Sequence, residues 1–424
     1  MTEVSFDLSS AQIVAATHGW VAKRWAGLSP GLVREELDRA MWAVRDAAPE
    51  PGHFPVAIYA PSFSASAHEN ADLCEFLASQ GYVVLSSASV GARGRDMTHD
   101  LEGVEAQVSD IEYLIGYARS IAQADTGHVA VIGYSWGGMA NVFAAARDSR
   151  IGAVVSLDGS VRYFPALVAS AKYVMPENMT APFLFVAARP RSMEDLIGSN
   201  QDMSASLINQ LRYGDVYQAT MYPMTHANFS SEYQRFALDD GWGFAEYSRD
   251  ETSLAFSWTA RYVGRFLDAY MKADAGSLAF LGKNPTANGA PAHMLSMTVR
   301  RSALPPPTIE TLATALGKHG FDHAEQAFAS LKAADPGFKL DESDLRHWGY
   351  QLLWADRNRE AIGVFKLVTV LFPASGNAFD CLGEAYQQNG DYDLAVASYR
   401  KSLALDPGNS NAVQRLEALK LLKH

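Results

Sequence analysis

Residues 128–147 read HVAVIGYSWGGMANVFAAAR, and this stretch decides the fold. Its first seven residues are apolar and rich in β-branched side chains (Val129, Val131, Ile132), the texture of a strand. From Gly137 to Arg147 the run GGMANVFAAAR reads as a helix. Between the two, Gly133-Tyr134-Ser135-Trp136-Gly137 puts a serine at a strand-to-helix turn with glycine two residues away on each side. So sharp a turn leaves no room for side chains at those glycines. It lifts the Ser135 hydroxyl above the sheet edge and aims the first N–H groups of the helix at any negative charge developing beside it. Ser135 is therefore the candidate nucleophile and the Trp136 N–H a candidate oxyanion donor. The motif alone is a weak signal; its place between strand and helix makes it a strong one.

Outward from this stretch the chain alternates. PVAIYA (55–60), YVVLSS (82–87), IGAVVSL (151–157), APFLFVA (181–187) and QATMYPM (218–224) have the same short apolar texture. Several are apolar at consecutive positions, as expected of parallel strands covered on both faces. Helix candidates separate them at 68–80, 104–123, 137–147 and 203–212. The expected class is α/β, with a doubly wound, mostly parallel sheet. Ahead of it, 28–44 reads as a helix capped by Ser29 with Pro30 in its first turn; behind it, 252–273 reads as a long helix. In the latter, Leu254, Trp258, Tyr262, Phe266 and Tyr270 recur every fourth residue as a packing face.

A serine nucleophile needs a base, and the base an orienting acid. Of the 11 histidines, His226 follows the last core strand, where a base belongs. His18 and His53 precede the core, His128 begins the nucleophile strand at its wrong end, and His319, His323, His347 and His424 lie far downstream. Two strand ends offer the acid. Asp158 follows IGAVVSL directly, at the carboxyl edge where ligand-facing residues of open α/β sheets collect. Glu194 and Asp195 follow APFLFVA, the more usual strand, but lie beyond ARPRSM, whose two arginines can pair with them.

The stretch from Phe54 to about Phe229 places the chain in the α/β-hydrolase superfamily. It resembles the platelet-activating-factor acetylhydrolases and, more loosely, the dienelactone hydrolases. In the former the acid follows the strand after the nucleophile helix, and the histidine precedes x-Asn-Phe. LDGS with Asp158 and His226-Ala227-Asn228-Phe229 match both features. The resemblance thus implies Asp158 as the acid, and a second oxyanion donor in the loop after the first core strand. That loop carries a His-Gly pair in the family; here it reads Pro61-Ser62-Phe63-Ser64, a departure that alters the acyl pocket. A backbone donor does not depend on its side chain, so the Phe63 N–H is expected to serve. The strand hairpin that opens the family's domain has a single counterpart, VSFDL at 4–8.

The composition breaks at SALPPP, residues 302–307, where three prolines exclude helix and sheet interiors. We place a linker there, a catalytic domain before it (1–301, with 1–53 as an extension) and an all-α domain after it (308–424). The downstream part repeats. Gly349 and Gly383, Ala361 and Ala395, Phe365 and Tyr399, and Pro373 and Pro407 each lie 34 residues apart. The pattern resembles the tetratricopeptide repeat, a helix–turn–helix unit in which the small residues let the helices cross closely, the aromatic fills the gap and the proline ends the second helix. Ala324, Phe328 and Pro336 form a degenerate earlier copy, and 409–422 reads as a solvating cap helix.

The remaining features narrow the function. A net charge of −12 argues against nucleic acid. Cys74 and Cys381 fall in different domains and are expected to be reduced thiols. The loop SVGARGRDMTHDLEG (89–103), with Arg93, Arg95, Asp96, His99 and Asp100, is either a face for a polar part of a substrate or a solvated loop. No cofactor and no metal is expected. No apolar run approaches the roughly 20 residues that span a bilayer. MTEVSFDLSS is not a signal peptide, so the chain as it stands suits the cytoplasm, and a trimmed export signal would move it to the periplasm or outside the cell. The expected function is hydrolysis of a small carboxylic ester through an acyl-enzyme. A peptidase with the same triad, and a repeat module that binds a protein partner beside an inert hydrolase, are the competing readings. An inert domain has no need of an intact Ser, His and Asp set, and the repeats are expected to buttress the enzyme or its oligomer.

Overall fold

The computed structural model describes residues 31, 41–44, 46–94, 96–189, 207–236 and 247–421. The expected strand at 4–8 and most of the expected helix at 28–44 lie outside the described residues. The chain divides into two compact units, Met1–Ala303 and Leu304–His424.

The first unit is built on a seven-stranded sheet of order β2-β1-β3-β4-β5-β6-β7. The strands are β1 (Phe54–Ala60), β2 (Val83–Ser86), β3 (Ala124–Tyr134), β4 (Ile151–Leu157), β5 (Phe183–Ala187), β6 (Val216–Met221) and β7 (Leu295–Arg300). The first six run parallel, and β7 adds antiparallel to β6. The sheet is thus doubly wound and mostly parallel, as the alternating sequence predicts. Helices α1 (Ala71–Ser79), α2 (Leu101–Tyr117), α3 (Trp136–Arg147) and α4 (Arg249–Met271) cover it.

Alternation along the strands sorts the core into two layers. Val56, Ile58, Val129 and Val131 pack with Val104, Val108 and Ile111 of α2 and with Met139 and Phe143 of α3. Ala57, Tyr59, Ala130 and Ile132 pack on the other face with Leu73 and Leu77 of α1 and with Tyr262, Val263 and Phe266 of α4. Both faces of β1, β3, β4 and β5 are therefore buried, which is why these strands read as unbroken apolar runs. The stripe of α4 packs as expected through Trp258, Tyr262 and Phe266, whereas Leu254, near its start, is exposed.

Strand β7 was not anticipated. Its LSMTVR alternates buried or half-buried residues with exposed ones, the pattern of an edge strand with one wet face. Helix α2 also departs from expectation: it starts three residues earlier and ends at Tyr117, before a short 3₁₀ turn. Cys74 and Cys381 are free thiols, and burial pushes the Cys74 thiol up to about 12.

The second unit is helical throughout its described residues, with helices at Ile309–His319, Ala324–Ala334, Glu342–Trp354, Asn358–Leu371, Gly376–Asn389, Tyr392–Leu405 and Ser410–Leu421. The 34-residue spacing has a packing cause. A Cβ on Gly349 would lie 2.5 Å from the Phe365 ring, and one on Gly383 2.7 Å from the Tyr399 ring. Each aromatic lies directly against a glycine of the preceding helix, and both rings are fully buried.

Candidate active site

The sheet order reverses beside β1. The chain leaves β1 for β2 on one side and returns to β3 on the other, so the carboxyl ends of β1 and β3 lie next to each other, Ala60 opposite Gly133. Such a switch point is where open α/β sheets form their clefts. Ser135 and the loop that follows Ala60 both start there.

Ser135 is the single residue between β3 and α3, with φ 55° and ψ −115°. A non-glycine residue there is strained and must be held. Its N–H donates to Leu157 O (3.0 Å), and its carbonyl accepts from Gly138 N (3.1 Å) and Ser160 N (2.8 Å). The glycines are demanded by contact. A Cβ on Gly133 would sit 2.3 Å from the Gly137 carbonyl, and one on Gly137 2.0 Å from Ala60 O. As the first residue of α3, Trp136 has an N–H with no partner available within the helix ladder.

Asp158 follows β4 directly, also at positive φ (43°), and is 2% exposed. Its N–H donates to Val186 O (2.7 Å), and its Oδ1 accepts the Ala188 N–H (3.1 Å). The other oxygen, Oδ2, lies 2.6 Å from His226 Nδ1. His226 opens a 3₁₀ turn, His226–Phe229, in the loop after β6. Asn228 Oδ1 accepts the Thr225 N–H and hydroxyl, both at 2.7 Å, and Phe229 is fully buried. The x-Asn-Phe that follows the histidine therefore fixes the loop. His226 Nε2 lies 2.9 Å from Ser135 Oγ. In the tautomer that satisfies both contacts, Nδ1–H donates to Asp158 and Nε2 accepts the serine hydroxyl. Asp158 is closed off from solvent while the His226 side chain is 47% exposed, so the imidazole can reach a ligand or water. The alternative acids, Glu194 and Asp195, lie outside the described residues.

Phe63, in the loop after β1, stacks on His99 with ring centroids 3.7 Å apart, and both stand edge-on to the buried Trp136 ring. Phe164 meets the same ring edge-on. The 89–103 loop thus contributes an aromatic ring that packs against Trp136, the residue after the serine, a role its charged composition did not suggest. Within that loop Asp100 caps α2, accepting from Gly103 N (3.0 Å) and Thr98 Oγ1 (2.6 Å), and these bonds hold its carboxyl below the usual range. Arg93 and Asp96 are exposed, and Arg95 lies outside the described residues. Glu69, Asn70 and Gln107, which escaped the sequence pattern, pack as buried polar side chains against the loops of this site. Among the described residues no group of three or more His, Cys, Asp and Glu side chains could hold a metal ion, and no helix is long and apolar enough to cross a membrane.

Parts of the chain are similar to known proteins. The tetratricopeptide repeat profile matches residues 376–409. A Methylorubrum extorquens protein, provisionally named as a carboxymethylenebutenolidase, is 22% identical over 244 residues, covering 51% of this chain and 79% of the relative. Among solved structures, a ferulic acid esterase from Streptomyces cinnamoneus is 22% identical with a TM-score of 0.46, covering 60% of this chain and 77% of that one. The dienelactone hydrolase profile matches residues 43–262, more than half of the chain, so the looser of the two resemblances seen in the sequence is the one that the profile carries. The chain belongs to the dienelactone hydrolase family, a family of hydrolases acting on esters, and carries a tetratricopeptide repeat behind that domain.

Proposed function

We propose that the protein is a serine esterase that cleaves a small carboxylic ester through an acyl-enzyme. The observation that carries this reading is the relay from Asp158 Oδ2 to His226 Nδ1 (2.6 Å) and from His226 Nε2 to Ser135 Oγ (2.9 Å). Ser135 Oγ attacks the acyl carbon while His226 Nε2 takes its proton. Asp158 holds the imidazole in the required tautomer and stabilises the imidazolium. The carbonyl oxygen becomes an anion that the N–H groups of Trp136 and Phe63 receive. The tetrahedral intermediate collapses, the C–O bond to the alcohol breaks and His226 returns the proton to the leaving oxygen. Water, deprotonated by the same nitrogen, then attacks the acyl carbon, and breakdown of the second intermediate frees the acid and restores Ser135.

The catalytic part in this reading is residues 1–301, joined by the linker 302–307 to a repeat domain, 308–424. The repeat match favours an additional role for that domain in contacting a protein, either a partner or a second copy. The serine assignment is tested by incubation with a fluorophosphonate followed by peptide mass mapping. One phosphonyl group is expected on Ser135, and hydrolysis of a p-nitrophenyl ester of a short acyl chain should fall in step with labelling. Full activity after complete labelling, or labelling elsewhere, would overturn it.

A further inference from the structure

The loop bearing Phe63 leaves β1 and the loop bearing His226 leaves β6, two strands separated in the sheet by β3, β4 and β5. Residues Glu69 and Asn70 join them. Both are buried, at 1% and 0% exposure. The Glu69 carboxylate accepts the Ser62 N–H (2.8 Å), the Ser62 hydroxyl and the Tyr59 hydroxyl (3.3 Å). Ser62 precedes Phe63, so Glu69 fixes the peptide group just before the one that supplies the Phe63 N–H. The Ser62 carbonyl, which points opposite to the Phe63 N–H in the plane of that second, trans peptide, accepts from Ala65 N (3.2 Å), and this sets the direction of the Phe63 N–H. Gln107 Nε2 holds the Pro61 carbonyl at 2.7 Å.

The other half of the link runs to the histidine loop. The Glu69 carbonyl accepts from Ser230 Oγ (3.1 Å), Ser231 Oγ (3.2 Å) and Glu232 N (3.1 Å). Asn70 stands at the N-cap of α1, yet its side chain makes no cap bond. Its amide instead donates to Phe229 O (2.8 Å) and accepts from Ser231 N (3.0 Å), pairing with the backbone just after His226. An asparagine at a helix start ordinarily satisfies that helix's own N–H groups. Here it is diverted to the active-site loop.

We propose that Glu69 is a positioning residue for ester hydrolysis: its carboxylate sets the Phe63 N–H that receives the oxyanion and, with Asn70, locks that donor to the loop carrying His226. The proposal rests on the roles assigned above to Ser135 and Phe63. A group acting only on the oxyanion donor should lower the rate of charge development and leave substrate binding alone.

The test is Glu69→Gln, which keeps the size of the side chain but sets an amide donor among the donors of Ser62 and Tyr59. We expect kcat for p-nitrophenyl acetate to fall by about tenfold to a hundredfold with KM within about twofold, a fraction of what loss of an oxyanion donor costs. The rate of phosphonylation of Ser135 should fall by the same factor, because that reaction also builds charge on an oxygen in the hole. Ser62→Ala keeps the N–H contact and removes only the hydroxyl one, so it should lose less, and the double variant should lose no more than Glu69→Gln alone, since the Ser62 hydroxyl acts through the Glu69 carboxylate. Unchanged kcat in a folded Glu69→Gln enzyme overturns the proposal, and so do fully additive losses. Should that variant not fold, Ser62→Ala decides alone: a loss of at least about threefold in kcat at constant KM supports the proposal, and no loss overturns it. Retained activity in Ser135→Ala would instead defeat the underlying reading of the site.

Discussion

Asp158 gains its place from backbone contacts as much as from its side chain. Its N–H bonds Val186 O and its Oδ1 takes the Ala188 N–H, both at the end of β5, leaving Oδ2 for His226. Its φ of 43° is a left-handed conformation that Asn tolerates as well as Asp does. Asp158→Asn should therefore fold normally and still lose on the order of 10⁴ in kcat, because the amide favours the wrong imidazole tautomer. Steady-state kinetics with a melting curve checks this; a loss under about tenfold would transfer the role to another acid, such as Glu194 or Asp195. Ser135, His226 and Asp158 were legible in the sequence because each sits at a strand end in a motif with its own steric logic. Glu69 and Asn70 were not. Their partners at Phe229, Ser230 and Ser231 are about 160 positions away, and only the folded sheet brings them together.

At the scale of elements, parallel strands buried on both faces announce themselves as apolar runs, and β1, β3, β4 and β5 were legible for that reason, while β2 and β6, less deeply buried, showed through their β-rich texture alone. Strand β7 is an edge strand 74 to 84 positions from the residues it pairs with, and its half-polar LSMTVR gives no such run. Helix α2 carries a testable electrostatic feature. Burial raises the Asp110 carboxyl to about 6, above its ordinary value of 3.8. The folded state therefore binds the proton more tightly than the unfolded chain, and stability falls as pH rises from about 4 to about 6. Asp110→Asn removes the buried charge. It should raise the urea midpoint relative to the native chain near pH 7.5 and change it little near pH 4, by about 1 kcal/mol at the higher pH once solvent screening of this half-buried group is allowed for. An equal difference at both pH values would contradict the burial argument.

For the whole molecule, the linker is anchored at its first residue. Asp215 accepts from Tyr270 Oη (2.6 Å), Arg301 (2.7 Å) and the Ser302 N–H (2.8 Å), which fastens the chain just ahead of Pro305, Pro306 and Pro307. Those bonds, like the ones described above for Ser135, His226 and Asp158, lie within the first unit. A 1–303 piece should therefore hydrolyse p-nitrophenyl acetate with kcat and KM unchanged. Loss of activity in a folded piece would contradict this. Its melting temperature separates the two roles of the repeats: a lower value marks them as a buttress, an unchanged value as a module for a partner. The repeats were legible at this scale because the same glycine-against-aromatic packing, Gly349 on Phe365 and Gly383 on Tyr399, recurs at one spacing.

Whether ester cleavage runs through Ser135 is decided by hydrolysis of a short-chain p-nitrophenyl ester by Ser135→Ala beside the native enzyme. The variant lacks one hydroxyl, whose hydrogen bond among the described residues is with His226 Nε2, so its melting curve should match that of the native chain. Its kcat should be lower by at least on the order of 10⁴. Retention of most of the activity in the folded variant would contradict it.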